Sequence, residues 1–328
     1  MKAVLLAGGY ATRLWPITRH RPKMFLPLGE TTAIDRLYAE LEQEDRIDTV
    51  YVSTNERFSA DFAAHLENNR YEKPQLSTEP TTAEDEKLGV VGALGELIER
   101  EEIDDDLLVL AGDNIVDFSI GDFLTAYDRS MGPTIAVYDV GTPERATAYG
   151  VVEIDEQRVI GFEEKPAEPA SSYVSVGCYA FPPSTPEMVQ TYLKGENDPD
   201  EIGWFVQWLY TREPTHAYTF EGTWFDVGTL ESYLEAVAWK LDGDSVIAET
   251  ATLDEVDVGS NVHVMAGAQL ADVELSNAVV FPEATIERST VRQSVIDEGA
   301  ELAGLTLNGA MVGAYTQIRD GSTGSSNG

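Results

Sequence analysis

The 328-residue sequence is poor in the residues that build disulfides and zinc clusters. Its single cysteine, Cys178, excludes an intramolecular disulfide and any cysteine-based zinc site. Four histidines (His20, His65, His216 and His263) are scattered, with no HExxH spacing. No apolar run reaches the ~18 residues of a spanning helix, and the apolar opening is too short for a signal peptide. The chain therefore reads as soluble and cytoplasmic. Lysine is scarce as well: 7 Lys and 15 Arg face 58 Asp+Glu, for a formal net charge of −36. Nucleic acid and anionic membranes are excluded as partners, because both would be repelled.

What is present is enough for a large packed core, since 43% of residues are hydrophobic and an ordinary 24% are charged. The acid is spread along the chain rather than gathered in a tail. A carboxylate-rich, lysine-poor surface suits molar salt, where a Debye length of ~3 Å screens self-repulsion. That is a halophilic composition, and it concerns solvent rather than function.

One segment breaks the pattern. Residues 1–29 contain no Asp or Glu, where the chain average would place about five. The same stretch carries Lys2, Arg13, Arg19, Arg21 and Lys23, so an anionic ligand is expected there. Its local chemistry points to phosphate. The strand-like run Lys2–Leu6 leads into Ala7-Gly8-Gly9-Tyr10-Ala11-Thr12-Arg13, and glycines after a strand let backbone N–H groups approach phosphate closely. Arg13 can fork onto phosphate oxygens, and Lys23 adds a point charge. Neither a Walker loop nor a complete GxGxxG is present.

Three stretches differ in kind. Residues 1–243 alternate apolar strands (Lys2–Leu6, Thr49–Thr54, Leu107–Ala111) with helical periodicity, as at Ile34, Leu37, Tyr38 and Leu41, or Leu88, Val91, Leu94, Leu97 and Ile98. This predicts an α/β, Rossmann-like mixed-sheet domain. Over residues 244–320, aliphatics recur every five or six positions (Val258, Val264, Leu270; Val280, Ile286, Val291, Ile296, Leu302, Leu307, Val312, Ile318). That spacing predicts a short left-handed parallel β-helix of hexapeptide type, with about eighteen residues per coil. The tail 321–328 reads as a disordered linker.

The run Leu6-Ala-Gly-Gly-Tyr-Ala-Thr-Arg-Leu-Trp-Pro-Ile-Thr-Arg-His-Arg-Pro-Lys-Met-Phe-Leu-Pro-Leu28 resembles the signature of the sugar-1-phosphate nucleotidyltransferases, LAGGxGTRLxPLTxxxPKxxLP. The likeness is nearest to that family's thymidylyltransferase branch and continues along the chain. It implies a nucleoside triphosphate and a sugar 1-phosphate as substrates, Mg²⁺ as cofactor, and a homo-oligomer. Ala111-Gly-Asp113-Asn and Trp224-Phe-Asp226-Val-Gly-Thr match the two metal-binding aspartates. Glu164 and Lys165 of Glu-Glu-Lys-Pro match a glutamate for the sugar hydroxyls and a lysine for the sugar phosphate. Taken alone, Lys165 reads first as an exposed ion pair, and the resemblance reverses that. Gly150 of Tyr-Gly-Val-Val and Ser175 match sugar-site positions, Gly89 matches a position beside the base, and Gly8, Gly9 and Thr12 match the phosphate loop.

Catalytic roles fall by the same resemblance to Arg13, Lys23, Asp113 and Lys165. A sugar-phosphate oxygen would attack the α-phosphorus in line and release pyrophosphate, with dTTP and glucose 1-phosphate the favoured pair and UTP next. The sequence departs from the pattern at Ala11 (usually glycine), at Met24 (commonly a base-reading glutamine) and across Glu79–Gly89, leaving the base open. A non-catalytic homologue that binds nucleotide sugars stays as the alternative.

Overall fold

The computed structural model describes residues 1–195 and 197–320. The linker expected at 321–328 lies outside the described residues. Compactness divides the chain in a way its linear order does not foretell. Met1–Gly9 and Ile34–Trp224 form one unit, while Tyr10–Ala33 join the residues from Phe225 onward in a second.

The first unit is built on a nine-stranded mixed sheet. Its strands are β1 (Lys2–Leu6), β2 (Thr49–Asn55), β3 (Pro74–Glu79), β4 (Leu107–Ala111), β5 (Thr134–Asp139), β6 (Gly150–Asp155), β7 (Arg158–Glu164), β8 (Tyr173–Phe181) and β9 (His216–Thr219). The order is β3-β2-β1-β4-β8-β5-β9-β7-β6, with β8 also pairing β6. The three apolar runs expected to be buried strands are β1, β2 and β4, and they pair in parallel. Such runs are apolar on both faces because helices cover both. One of these, α1 (Val90–Arg100), buries the expected stripe Val91, Leu94, Leu97 and Ile98. Val4, Val109, Val152, Phe162, Phe181 and Phe205 join it in one core.

Register positions the site. Leu6 lies opposite Ala111, so the Gly8-Gly9 turn and Asp113 leave the sheet side by side at its carboxyl edge, where open α/β sheets bind ligands. Strand β8 runs antiparallel to β4 and slips register between Ser175 and Tyr179 against β5.

The second unit contains Tyr10–Ala33, the helix α2 (Leu230–Leu241) and a stack of parallel strands. The helix starts at a capping box between Thr229 and Ser232. In the stack, β10 (Thr252–Val258), β11 (Gln269–Val280), β12 (Thr285–Ile296), β13 (Glu301–Ala303) and β14 (Gln317–Arg319) pair in sequence. Partners fall at 252, 269, 285, 301 and 317, steps of 17, 16, 16 and 16. The repeat is therefore shorter than the eighteen expected from hexapeptides, because two of every three spacings are five rather than six. Three aliphatic columns result: Leu253-Leu270-Ile286-Leu302, Val258-Leu275-Val291-Leu307 and Val264-Val280-Ile296-Val312. Most of these side chains are buried in a single core, worth about 1.5–3 kcal/mol for each fully buried aliphatic.

Candidate active site

In the first unit, the turn after β1 is tied down from below. Ala7 N–H donates to the Ser53 carbonyl at 2.8 Å, and the Asn55 amide donates to the Gly8 carbonyl at 2.8 Å. Gly8 is closely approached, since a Cβ there would lie 3.0 Å from Glu79 Oε1. Gly9 is exposed and uncrowded. Glu79 is buried, accepts the Ser53 hydroxyl at 3.0 Å, and has its pKa raised by burial.

Beside that turn, Asp113 is half-buried and accepts the Asn114 amide at 3.1 Å. Asn114 in turn accepts the Trp224 indole N–H at 2.5 Å, and Trp224 packs edge-on against Tyr149 at 4.8 Å. Gly177, at φ +69°, makes room: a Cβ would sit 2.8 Å from that of Ala111 and 3.2 Å from the Asn114 amide. Ser175, just before the register slip, is buried and donates to the Tyr179 hydroxyl at 3.0 Å. Gly89 caps the start of α1 against the backbone of Pro199, whose carbonyl accepts from Val91 N–H at 2.9 Å.

The corner at the end of β7 carries the strongest electrostatic signature. Glu164 is 7% exposed, and its backbone N–H donates to the Gln207 side chain at 2.8 Å. Its carboxylate fits between two glycines: a Cβ at Gly203 would come within 1.7 Å of it and one at Gly150 within 2.8 Å. Burial pushes its pKa up to about 7, Glu201 adds to the rise, and Lys165 opposes it. Lys165 reaches past Glu164, at 4.0 Å, to Glu201, at 2.5 Å. The lysine is thus in a half-exposed ion pair, with a partner distant in sequence. Its backbone N–H donates to the Tyr149 carbonyl at 3.0 Å, closing the corner onto the aromatic contact below Asn114.

Gly8, Gly9, Gly89, Asp113, Gly150, Glu164, Lys165 and Ser175 all belong to the first unit; the contacts above join Asp113, Gly150, Glu164 and Lys165, while the glycine turn, Gly89 and Ser175 each make separate contacts. Thr12, Arg13, Lys23 and Asp226 belong to the second. Ala11, at the usual glycine position, is left-handed (φ 48°), and its carbonyl accepts both Leu14 N–H at 3.0 Å and the Thr18 hydroxyl at 2.8 Å. Thr12 and Arg13, in the turn Thr12–Leu14, are exposed. Lys23 opens the turn Lys23–Phe25. Asp226 ends a short strand, and its carbonyl accepts Gly228 N–H at 2.9 Å, just ahead of α2. Arg21 departs from expectation: counted with the phosphate-facing cations, it pairs instead with buried Asp297 at 2.7 Å.

Glu79, Glu201, Gly203 and Gln207 carry no local motif: Glu79 meets the glycine turn from a neighbouring strand, and the other three meet Glu164 and Lys165 from the helix Ile202–Tyr210 and its first cap. Asp113 and Asp226 are half-buried carboxylates, and no group of three or more His, Cys, Asp or Glu suited to a metal exists among the described residues. Each carboxylate by itself is of the hard-oxygen kind that Mg²⁺ takes, one or two at a time, with water and phosphate completing the shell. Such carboxylates do not fit a closed zinc site.

A family model for nucleotidyl transferases matches residues 2–242. A Sulfolobus acidocaldarius protein provisionally named a mannose-1-phosphate guanyltransferase is 30% identical over 71% of this chain; the match spans 61% of that protein. A glucose-1-phosphate thymidylyltransferase of Streptomyces griseus is 26% identical over 97% of this chain and 93% of its own length. Among solved structures, a provisionally named glucose-1-phosphate thymidylyltransferase from Bacillus anthracis, in complex with a sucrose, superposes with a TM-score of 0.63. It is 28% identical and covers 73% of this chain and 95% of its own. No helix of this chain, among the described residues, is long and apolar enough to cross a membrane. The chain belongs to the nucleotidyl transferase family, whose relatives are named as sugar-1-phosphate nucleotidyltransferases.

Proposed function

We propose that this enzyme joins a nucleoside triphosphate to a sugar 1-phosphate, giving a nucleotide sugar and pyrophosphate, with dTTP and glucose 1-phosphate the favoured pair and UTP next. Support comes above all from the first unit, where the glycine turn, Asp113 and the Glu164–Lys165 corner lie on one connected stretch of the sheet edge. The Streptomyces relative, matched over nearly the whole chain, carries the corresponding name. The reaction brings two polyanions together, so positioning and charge neutralisation are the protein's task. In this scheme Arg13 and the Gly8-Gly9 N–H groups bind the triphosphate, and Lys23 holds the α-phosphate. Lys165 leaves Glu201 for the sugar phosphate, and Glu164 hydrogen-bonds the sugar hydroxyls. The sugar-phosphate oxygen then attacks in line, and no protein nucleophile is needed. Asp113 and Asp226 are the residues that would hold Mg²⁺, which when bound neutralises phosphate charge.

Guanyl transfer to mannose 1-phosphate is the second reading, supported by the name of the Sulfolobus relative and by Met24. That residue is only 2% exposed and stands where a base-reading glutamine is common. The left-handed β-helix is likewise our reading of the stack. It is supported by the three columns and by left-handed corners recurring with the register at 261, 277 and 293.

The deciding experiment is pyrophosphate release with Mg²⁺ in molar KCl, each triphosphate against a panel of sugar 1-phosphates. Highest turnover with dTTP and glucose 1-phosphate is expected; a GTP–mannose 1-phosphate optimum selects the second reading, and no turnover with any pair rejects both. Asp113→Asn should cut kcat by at least ~10²-fold, the scale of losing one key electrostatic element. Near-normal turnover of that variant in saturating Mg²⁺ would remove Asp113 from the metal role.

A further inference from the structure

The segment carrying Arg13 and Lys23 belongs to the same unit as the C-terminal strands. Three contacts moor it. Near its start, Pro16 lies against Gly313, where a Cβ would come within 2.9 Å of the proline. Near its end, the buried Tyr233 hydroxyl donates to the Pro27 carbonyl at 2.9 Å. Between them, Arg21 Nη1 lies 2.7 Å from Asp297 Oδ1, and the Arg21 guanidinium carbon sits 4.4 Å over the Phe281 ring.

Asp297 is fixed by the stack itself. Its N–H donates to the Val312 carbonyl at 2.9 Å, and Phe281 N–H donates to the Ile296 carbonyl at 2.9 Å. Its Oδ1 also accepts Glu298 N–H at 2.8 Å. The Asp297 side chain is 1% exposed and that of Arg21 17%, so the pair is shielded from salt in a way a surface pair is not. The contact is an ion pair through one oxygen, with Arg21 Nη1 and Asp297 Oδ2 buried and making no hydrogen bond, so the attraction rests on charge in a shielded setting.

We propose that Asp297 is a positioning residue for the triphosphate segment, acting through Arg21 from the C-terminal stack. On this account the stack is part of the catalytic apparatus, since it sets where Lys23, two residues beyond Arg21, stands. The proposal rests on the reading that Arg13 and Lys23 receive the triphosphate.

The test uses the full chain with Asp297→Asn, which keeps shape and removes charge, and Glu298→Ala as a control. Glu298 is 44% exposed and only 4.0 Å from Arg21. Backbone hydrogen exchange across Tyr10–Ala33 is read together with both KM values and Tm. Asp297→Asn should speed exchange in that segment and raise the triphosphate KM about tenfold or more, the scale of a remote misplacement. The sugar-phosphate KM should move by less than about twofold, and Glu298→Ala should change none of these. Unchanged exchange in the segment overturns the proposal. So does a drop in Tm with both KM values and kcat worsening together, the signature of a merely structural role. If Asp297→Asn fails to fold, Arg21→Lys is measured on the same criteria. If the unmodified enzyme turns over no substrate pair, the functional reading fails, and exchange alone still decides the mooring.

Discussion

Two buried carboxylates stand beside cations in this molecule, and they are wired in opposite ways. At Asp297 the cation is delivered: Arg21 lies 2.7 Å away and is itself largely covered. At Glu164 the cation is withheld, because Lys165 lies 4.0 Å from it and turns to Glu201 at 2.5 Å. One acid is therefore compensated within the fold and ties two stretches of chain together. The other is held close to neutrality by burial, with a lysine beside it that can be redirected. A compensated pair has little left to offer a ligand, whereas an uncompensated corner does. The contrast separates a tether from a candidate site.

Removing the cation from the tether should give the largest stability effect. Arg21→Ala leaves Asp297 buried without its partner, and breaking such a pair costs about 3–5 kcal/mol. Guanidinium unfolding at fixed KCl measures it. A loss below about 1 kcal/mol would place this pair with ordinary surface pairs and dissolve the contrast.

Much of this architecture is legible locally. Strands β1 and β4 are apolar on both faces and coincide with the runs read from the sequence, as does the helical stripe of α1. The glycine turn, Asp113 and Glu164 are marked by motif. Arg21 is not legible, because it sits among cations that the sequence groups together in an acid-free segment and its partner is 276 positions away (297 − 21). Gly203 is equally silent: an ordinary helical glycine in sequence, it is required by a carboxylate on a strand that reaches it only in the fold. The coil repeat is sixteen and not the eighteen of strict hexapeptides, because two of every three aliphatic spacings are five, a difference that the register makes plain.

A smaller effect tests the other corner. The Glu164 carboxyl has a folded pKa of about 7 against an ordinary 4.5, so between those values the folded state holds a proton that the unfolded state has released. Its contribution to stability is therefore complete below pH 4.5 and lost as pH rises to 7. The full loss is about 3 kcal/mol, taking 1.36 kcal/mol for each pH unit. Glu164→Gln removes this dependence, so the variant should gain on the parent steadily from pH 4.5 to 7. Parallel stability–pH curves for the two proteins would show that the corner is as well compensated as the tether.

The smallest stability change is expected at Lys165. It and Glu201 are 42% and 47% exposed, and pairs of that kind contribute about 0.2–1 kcal/mol. Lys165→Met should therefore leave the unfolding midpoint nearly unchanged while raising the sugar-phosphate KM well above any effect on the triphosphate KM. Because Glu201 and Glu164 then lack their nearby cation, the Glu164 carboxyl should also titrate higher than in the parent. A tether would behave in reverse, losing stability first and weakening the triphosphate rather than the sugar phosphate. If Lys165→Met unfolds as readily as Arg21→Ala, or weakens both substrates alike, the lysine is a structural cation and the site must be sought elsewhere along the sheet edge.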